Sequence, residues 1–384
     1  MVNKNELSNF DIPLFVAMLL LSIIGIITVT SASLPYTVSS PGELIQALSE
    51  MPVNYLSRQL VWVAVGIFVI GFICFFDYRD FGRLSVLIYL VNLGLLLMVI
   101  FAGEKSMGAQ RWVQISFFRL QPSEFAKIAI TITLAKYISR EDVKLENLAD
   151  LVVPGIHVGI PMLLIFMQPD LGTSLVFSAI VFAMVFAAGL KWRYILLCLG
   201  TGIAGAVFAF FNILKPYQQQ RLVVFTNPEA HYFDAGFQLI QSKIAVGAGG
   251  IADGSLWGKG IFQGAQSKLN FLPEAHTDFV FAVIAEEMGM IGAITVLFLF
   301  LFIIYRILLI AVQADTFGTY ICVGVVAIMA FQLLINVGMT LSIMPVTGIP
   351  LPFITYGGST YLSSAIGIGL VLNVGMRREK DHLF

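Results

Sequence analysis

The chain has 384 residues, of which 58% are hydrophobic and 12% are charged, and its formal net charge is −1. Soluble domains carry about 25% charged residues, so this composition excludes an ordinary soluble domain and indicates a protein that lies in a lipid bilayer. A net charge close to zero also gives no support for a nucleic-acid partner. The cysteines, Cys74, Cys198 and Cys322, lie in apolar stretches without metal-ligand spacing. We therefore predict small core residues, and neither a metal site nor a disulfide.

Ten apolar segments are long enough to cross a membrane, which takes about 20 helical residues. They cover residues 13–33, 59–76, 83–102, 122–140, 151–167, 171–189, 192–212, 277–305, 317–340 and 358–376. We predict an all-α polytopic membrane protein with ten transmembrane helices, forming a single domain over residues 1–384. An even number of spans puts both termini on one side, and the basic Arg377 and Arg378 indicate that this side is the cytoplasm. The longest connection, about residues 213–276, is then a large extracellular loop.

An ionisable cluster opens the eighth apolar segment, where charged side chains are costly. Pro273 ends any preceding helix and Thr277 is a suitable N-cap, so we expect Asp278 in the first helical turn, where the helix dipole favours its ionised form. At the outer mouth of the membrane, such a carboxylate can take a proton from a sugar hydroxyl. An acid that only caps the helix would have the same type and position. His276 is expected either to orient the acid or to be structural.

Glu286 and Glu287 lie about 12–14 Å deeper than Asp278 at 1.5 Å per helical residue, which is too far to act with it on one bond. We expect them to be protonated, to pair with polar residues of another helix, or to line a proton or ion path. A role in packing or gating is favoured over catalysis.

A second polar pair lies at the start of the fourth segment, where Pro122 suits a first helical turn. Glu124 and Lys127 are three residues apart, so their side chains share one helix face. The simpler interpretation is a structural ion pair. The alternative is that Lys127 also reaches a phosphate at the outer mouth. Arg111, which precedes this helix, suits a bidentate phosphate contact.

Two outer connections contain helix-breaking residues. In the turn at 168–173 (QPDLGT), Asp170 is most simply a helix cap. The stretch 345–360 contains three prolines and three glycines, so it cannot form a continuous helix. Irregular backbone at membrane depth should line a cavity or be buried in protein. The hydroxyls of Ser359 and Thr360 are candidates for holding a lipid head group there.

Taken in order, these stretches resemble the SEDS family of shape, elongation, division and sporulation proteins. The motifs are QPSEFAK at 121–127, QPDLGT at 168–173, YQ at 217–218 with Arg221, GFQLIQSKIA at 236–245, NFLPEAHTDF at 270–279, and PVTG through YGGS over 345–359. Each motif alone is weak, but all of them in order, with ten apolar segments, are specific and cover nearly the whole chain. The stretches GAGG at 247–250, GKGIF at 258–262 and QSKLNFLP at 266–273 are more similar to the elongation branch than to the division branch.

The resemblance implies a peptidoglycan glycosyltransferase that polymerises lipid II into nascent glycan outside the cytoplasmic membrane during cell elongation. The family's essential acid matches Asp278, and its buried acid–base pair matches Glu124 and Lys127. The implied partners are a class B penicillin-binding protein, which supplies the transpeptidase, and the elongation machinery. A divalent cation, Mg²⁺ or Mn²⁺, is a candidate cofactor, although the sequence shows no metal cage. We predict the following substrate-binding residues: Arg111, Lys127, Arg221, Gln241, His276, Thr277 and Ser359.

The expected chemistry agrees with this set of residues. Lipid II holds its sugar through an α bond to undecaprenyl pyrophosphate, whereas the glycan has β bonds, so a single inverting displacement fits. Asp278 is the candidate base for the acceptor hydroxyl. Pyrophosphate is a good leaving group, and external Arg or Lys, or a metal ion, can stabilise its charge. The second carboxylic acid that glycosidases need is therefore not required.

Two other functions compete with the polymerase. A flippase that moves lipid II across the membrane would also suit a multi-span protein with intramembrane charges such as Lys127, Glu286 and Glu287. A scaffold that only holds a penicillin-binding protein would tolerate Asp278→Asn. The discriminating feature is the position of the essential acids. A polymerase needs an acid at the outer mouth, whereas a flippase needs polar groups along a path from both sides.

Overall fold

Helices occupy all ten segments that were predicted to cross the membrane. The computed structural model describes residues 6, 8–50, 55–106, 109–115, 118–214, 216–231, 235–250, 256–268 and 271–378. In chain order the α-helices of these residues are α1 (Ile12–Ala32), α2 (Pro41–Glu50), α3 (Tyr55–Phe75), α4 (Tyr78–Arg83), α5 (Ser85–Ala102), α6 (Pro122–Ile138), α7 (Val152–Met167), α8 (Leu171–Ala187), α9 (Trp192–Asn212), α10 (Pro216–Thr226), α11 (Ala235–Ala248), α12 (Ala265–Lys268), α13 (Val280–Val312), α14 (Thr316–Thr340) and α15 (Gly358–Met376).

Eight of these helices are long and apolar enough to span a bilayer: α1, α3, α5, α7 with its preceding 3-10 turn, α9, α13, α14 and α15. The other two predicted spans are α6 and α8, which have 17 residues each. Helix α8 is apolar throughout, whereas α6 carries Glu124, Lys127 and Lys136. The prediction of a polytopic helical protein is confirmed. The number of crossings and the cytoplasmic position of the termini stay predictions.

Carboxylate caps fix where several helices begin. The Asp11 side chain accepts a hydrogen bond from the backbone of Leu14 at 3.0 Å, and Pro13 lies in the first turn of α1. The same carboxylate pairs with Arg306 of α13 at 2.6 Å, which joins the first helix to the eighth predicted span. Asp315 caps α14 in the same way through Gly318. These contacts satisfy amide groups that have no partner within the helix.

Helices α14 and α15 are the most buried spans, and α9 is the least buried. Helix α14 packs against α13, α8 and α6, while α15 packs against α3. Cys74 and Cys322 lie in this interior, as predicted, but Cys198 is on the exposed surface of α9, so the prediction of a core position is wrong for it. Large apolar side chains that are exposed on the outer helices would face lipid in a bilayer.

The connection between α5 and α6 contains a small antiparallel sheet that the sequence analysis missed. Its strands are β1 (Glu104–Ser106), β2 (Ala109–Ile115) and β3 (Phe118–Leu120), in the order β1-β2-β3. Glu104 lies opposite Trp112, and Val113 lies opposite Leu120. Because β2 is rigidly paired on both sides, it places Arg111 on an ordered strand rather than on a flexible loop.

The large loop between α9 and α13 folds back onto the bundle. In its helix α11, the apolar residues Phe237, Ile240 and Ile244 recur at helical spacing, which predicts a helix that lies in the outer membrane interface. The structure instead buries Leu239 and Ala245, and Ile244 remains 44% exposed. Ser242 donates a hydrogen bond to the carbonyl of Thr340 at 2.8 Å. Helix α11 therefore packs against α13 and the end of α14.

Helix α13 is interrupted at Gly289, whose backbone is left-handed at φ 66° and ψ −161°. Backbone from the large loop fills this break. The amides of Lys259 and Gly260 donate to the carbonyls of Glu286 and Glu287 at 3.0 Å each. A side chain at position 289 would collide with the loop backbone. Glycine is required there because of both the positive φ and the close approach.

Candidate active site

Asp278 lies in a tight turn just before α13, not in its first turn as predicted. The helix begins at Val280, and Phe279 occupies the N-cap position without a capping side chain. The carbonyl of Glu274, a residue with φ of 55°, accepts from the amides of Thr277 and Asp278 at 3.1 and 3.0 Å. Thr277 is therefore not the N-cap, and Asp278 lies one residue before the N-cap position rather than inside the helix.

The environment of Asp278 makes its carboxylate more basic than usual. Burial, together with the negative charge of Glu274, raises the pKa of Asp278 from 3.8 to about 6, and the positive charges of Arg221 and Arg111 partly oppose this rise. Within the part of the chain that the structure describes, no hydrogen-bond donor contacts the Asp278 side chain. With a pKa of about 6, the group is mainly ionised at neutral pH. A base with a pKa near the working pH is better suited to proton transfer than an ordinary aspartate.

Two residues that the sequence analysis missed hold this turn. The Asn336 amide nitrogen on α14 donates to the carbonyl of Asp278 at 3.1 Å and to the carbonyl of Ile349 at 2.9 Å. Gly348 lies beside the carboxylate with φ of 70°, and a β-carbon there would lie 3.2 Å from Asp278 Oδ2. The irregular stretch after α14 was predicted to line a cavity, but the sequence carried no signal that singled out these two positions.

Arg111 and Arg221 approach Asp278 from different elements. Arg111 on β2 donates to the carbonyl of Pro169 and lies 3.7 Å from the carboxylate of Asp170. Its buried Nε atom has no hydrogen-bond partner among the described residues. Arg221 lies on α10 and is exposed. The predicted cap role of Asp170 is confirmed, because its side chain accepts from the backbone of Thr173 at 3.2 Å.

Glu124 and Lys127 form the predicted pair, with 2.8 Å between Lys127 Nζ and Glu124 Oε2. Both side chains are 2% exposed, and the hydroxyl of Ser363 on α15 also donates to Glu124 at 3.2 Å. The Lys127 ammonium is thus enclosed between α6 and α15 and paired with an acid. This geometry favours the structural ion pair over a lysine that presents its charge at the outer mouth.

The other predicted substrate-binding residues differ in whether other residues already occupy their side chains. The His276 ring packs on Tyr55 and Tyr356, and burial lowers its pKa although Glu274 opposes the effect. Thr277 Oγ1 donates to the Glu274 carboxylate at 2.8 Å.

Ser359 and Gln241 are both buried. The Ser359 hydroxyl accepts from the amide of Gln121 at 3.0 Å and donates to the carbonyl of Arg119 at 3.3 Å. Because both hydrogen-bonding functions of this hydroxyl are used by the backbone, the geometry favours a structural role for Ser359. Gln241 lies on α11, on the side that packs against the bundle.

No group of three or more His, Cys, Asp or Glu side chains is spaced to hold a metal ion in the described part of the chain. The acid nearest to Asp278 in sequence, Glu274, is bonded to Thr277. The residues present therefore do not fit a metal cage made by the protein alone.

Glu286 and Glu287 form a buried carboxylate clamp for the large loop. Glu286 accepts from Lys259 Nζ at 2.7 Å and from the amides of Ala265 and Gln266 at 2.9 and 3.2 Å. Glu287 pairs with Lys268 at 3.3 Å. Further donors to Glu287 are Ser31 at 2.5 Å, Gly264 at 3.1 Å and Phe262 at 3.3 Å. The expected packing role is consistent with these contacts, and the partners come mainly from the loop rather than from another span.

The clamp predicts how the loop responds when its charges are removed. We expect the double variant Glu286→Gln/Glu287→Gln to increase hydrogen exchange about tenfold or more at the amides of residues 259–266. Charge-assisted hydrogen bonds are about twice as strong as neutral ones, and the variant would also leave the buried Lys268 without a counter-charge. Exchange measured by mass spectrometry tests this, with the exposed Glu141→Gln as control. Unchanged exchange over 259–266 would contradict the clamp.

Comparison with known proteins gives the family of this chain. A family model described as cell cycle protein, which covers FtsW, RodA and SpoVE, matches residues 12–380. The peptidoglycan glycosyltransferase MrdB of Escherichia coli K12 is 36% identical over 337 residues, which are 88% of this chain and 90% of that protein. Stage V sporulation protein E of Bacillus subtilis is 34% identical over 368 residues, which are 95% and 96% of the two chains.

Solved structures have the same fold. The chain superimposes on a subunit of a peptidoglycan synthase complex that coordinates polymerization and crosslinking, with a TM-score of 0.78 and 27% identity over 97% of this chain and 99% of that one. It also superimposes on the rod shape determining protein RodA of Thermus thermophilus, with a TM-score of 0.69 and 26% identity over 97% and 98% of the two chains. This chain therefore belongs to the FtsW, RodA and SpoVE family, the SEDS family that its motifs resemble, and is RodA-like within it.

Proposed function

We propose that this protein is a peptidoglycan glycosyltransferase that polymerises lipid II at the outer face of the cytoplasmic membrane during cell elongation. Relatives named peptidoglycan glycosyltransferase support the enzyme class. The observation that carries the proposal is the Asp278 carboxylate. Burial raises the pKa of this group, and no donor among the described residues forms a hydrogen bond with it. The carboxylate lies where a helix of the bundle meets the large loop.

In the proposed reaction, Asp278 accepts the proton of the acceptor sugar hydroxyl as that oxygen attacks the anomeric carbon of the donor. The bond from this carbon to the pyrophosphate oxygen breaks, the configuration changes from α to β, and undecaprenyl pyrophosphate leaves with the bonding electron pair. The proton stays on Asp278 until solvent removes it. The position of Asp278 and its raised pKa both favour this role. General base catalysis of this kind increases reaction rates about 10²–10⁴-fold.

We propose that Arg111 and Arg221 stabilise the negative charge of the leaving pyrophosphate. Both guanidinium groups act electrostatically on Asp278 from β2 and α10. Among the described residues, no acceptor contacts the buried Nε atom of Arg111, and a planar guanidinium suits phosphate oxygens. Lys127 is assigned to the buried pair instead. His276, Thr277 and Gln241 are retained as residues that shape the site around the sugar. A divalent cation bound mainly through substrate phosphates would need few protein ligands.

The membrane partner we propose is a class B penicillin-binding protein that crosslinks the new glycan. The similar solved chain belongs to a synthase complex in which polymerization and crosslinking are coordinated. The single domain over residues 1–384, with its large extracellular loop and cytoplasmic termini, would present both Asp278 and that loop to such a partner outside the cell.

Gly348→Ala is expected to reduce polymerisation about 10–100-fold while the protein still folds. The added β-carbon would lie 3.2 Å from Asp278 Oδ2, and a φ of 70° strains any non-glycine residue. A displaced catalytic group of this kind costs up to about 10²-fold in rate. Glycan synthesis from labelled lipid II measures the effect. The matched control is Gly71→Ala on α3, where a β-carbon meets open space. Equal rates for both variants would show that Gly348 does not constrain the carboxylate.

The function is tested with purified protein, its penicillin-binding partner and labelled lipid II in liposomes, with products separated as glycan ladders on a gel. A polymerase gives ladders. A flippase gives transfer of lipid II between leaflets with no new glycosidic bond, and a scaffold gives neither. Transfer or binding without ladders, from folded protein bound to its partner, would overturn the proposal.

A further inference from the structure

A single buried amide on α14 joins the two backbone segments that meet at Asp278. Asn336 is fully buried, and its amide nitrogen donates one hydrogen to the carbonyl of Asp278 and the other to the carbonyl of Ile349, at 3.1 and 2.9 Å. Because both partners are carbonyl oxygens, only the NH₂ end of the amide can satisfy them. The amide orientation of Asn336 is therefore unambiguous, with the NH₂ group toward the two carbonyls.

The second of these segments carries the residue that touches the carboxylate. Ile349 directly follows Gly348, and position 348 lies beside Asp278 Oδ2. Asn336 thus fixes the distance between the main chain of Asp278 and the loop that its side chain faces. No other described side chain donates a hydrogen bond to the Asp278 carbonyl.

An apolar side chain of similar size would fill the position of Asn336 without burying a polar group. Its Oδ1 atom is buried without a partner among the described residues, and an unsatisfied buried acceptor is destabilising. One turn earlier on the same helix, Gln332 is also buried, and neither its Oε1 nor its Nε2 atom has a partner in the described part of the chain. The two residues share a helix and an amide, but only Asn336 contacts the Asp278 turn.

We propose that Asn336 is a positioning residue, which holds the main chain of Asp278 against the Gly348 loop so that the carboxylate stays enclosed and aimed at the acceptor hydroxyl. This inference rests on the proposed polymerase function. Among the described residues, the charged groups that act on the Asp278 carboxylate are Glu274 in its own turn, Arg111 on β2 and Arg221 on α10. Asn336 carries no charge, so its effect on the carboxylate is through position alone.

The test compares Asn336→Leu with wild type and with Gln332→Leu, the matched control from the same helix. Single-turnover glycan bond formation from labelled lipid II is measured between pH 5 and 8, alongside thermal unfolding. We expect Asn336→Leu to lower the maximal rate about 10–100-fold with little change in KM. We also expect the pH midpoint of its acid limb to fall by about one unit, because a loosened carboxylate gains solvent. Gln332→Leu should match wild type in both.

The outcomes separate the inference from the function on which it rests. No product from wild type would reject the polymerase itself. Active wild type with a wild-type rate in Asn336→Leu would overturn the positioning role. A lower rate with an unshifted midpoint would also overturn it, because this is the result of lost packing alone. If Asn336→Leu does not fold, Asn336→Thr replaces it, since it keeps a similar volume and no charge but its hydroxyl donates only one hydrogen. The same midpoint shift is then expected, and its absence counts against the inference.

Discussion

Asp278→Asn is expected to abolish glycan synthesis and, at the same time, to make the protein more stable at neutral pH. The loss of the base removes about 10²–10⁴-fold of rate. The gain in stability follows from the raised pKa of about 6, because the folded state prefers the protonated acid. The wild-type carboxylate therefore costs stability as pH rises from about 4 to about 6, and this cost stays constant above that range. A shift of this size corresponds to on the order of 3 kcal/mol at most.

Polymerisation assays and thermal unfolding at pH 5 and pH 8 measure both effects in the same preparations. We expect the melting temperature of Asp278→Asn to exceed that of wild type at pH 8, and the difference to shrink as the pH is lowered. Asp142→Asn, on the exposed connection between α6 and α7, is the matched control and should keep both activity and stability. A less stable Asp278→Asn at pH 8 would show that the carboxylate contributes to folding, and it would contradict the expected cost of the buried charge.

Lys127→Ala is expected to destabilise the protein by about 3–5 kcal/mol, because it leaves the buried charge of Glu124 without its partner. Both side chains of this pair are 2% exposed. The double variant Glu124→Gln/Lys127→Met should recover most of the stability, since it removes both charges and keeps similar volumes. The Ser363 hydroxyl remains available to the new glutamine.

Denaturation in detergent and polymerisation in liposomes distinguish the two interpretations of this pair. A structural pair predicts that the double variant recovers stability and activity together. Recovery of stability without activity would instead give the charges a direct role in the reaction. Arg83→Ala breaks an exposed pair with Asp80 that has the same residue spacing, so it is the control and should change little.

Hydropathy and charge predicted the helices of this protein well, because a bilayer requires long apolar helices and penalises isolated charges. In segment 277–305, hydropathy predicted neither the start of the helix nor its break. Hydropathy and the cap signal of Thr277 placed Asp278 in the first turn of a continuous helix, whereas α13 begins at Val280 and breaks at Gly289. The break depends on backbone from a loop that lies some 30 residues earlier, and no local pattern in the helix reports it.

The site was predicted in part. Asp278, Arg111 and the Glu124–Lys127 pair stood out because charged side chains are rare in an apolar chain. Asn336 and Gly348 did not, because a polar amide in a helix and a glycine in a proline-rich loop are common features. The roles that we propose for them rest on contacts between distant segments, here α14, the turn before α13 and the loop after α14. The roles of Glu286 and Glu287 likewise became clear only once the loop lysines were placed.

The most direct test of Asp278 as the base is the pH dependence of single-turnover bond formation by the wild-type protein with its partner. The rate should rise about tenfold per pH unit below a midpoint near 6 and become constant above it, because only the ionised carboxylate can accept the proton. A rate that is flat from pH 5 to 8, with saturating lipid II and folded protein throughout, would contradict the account.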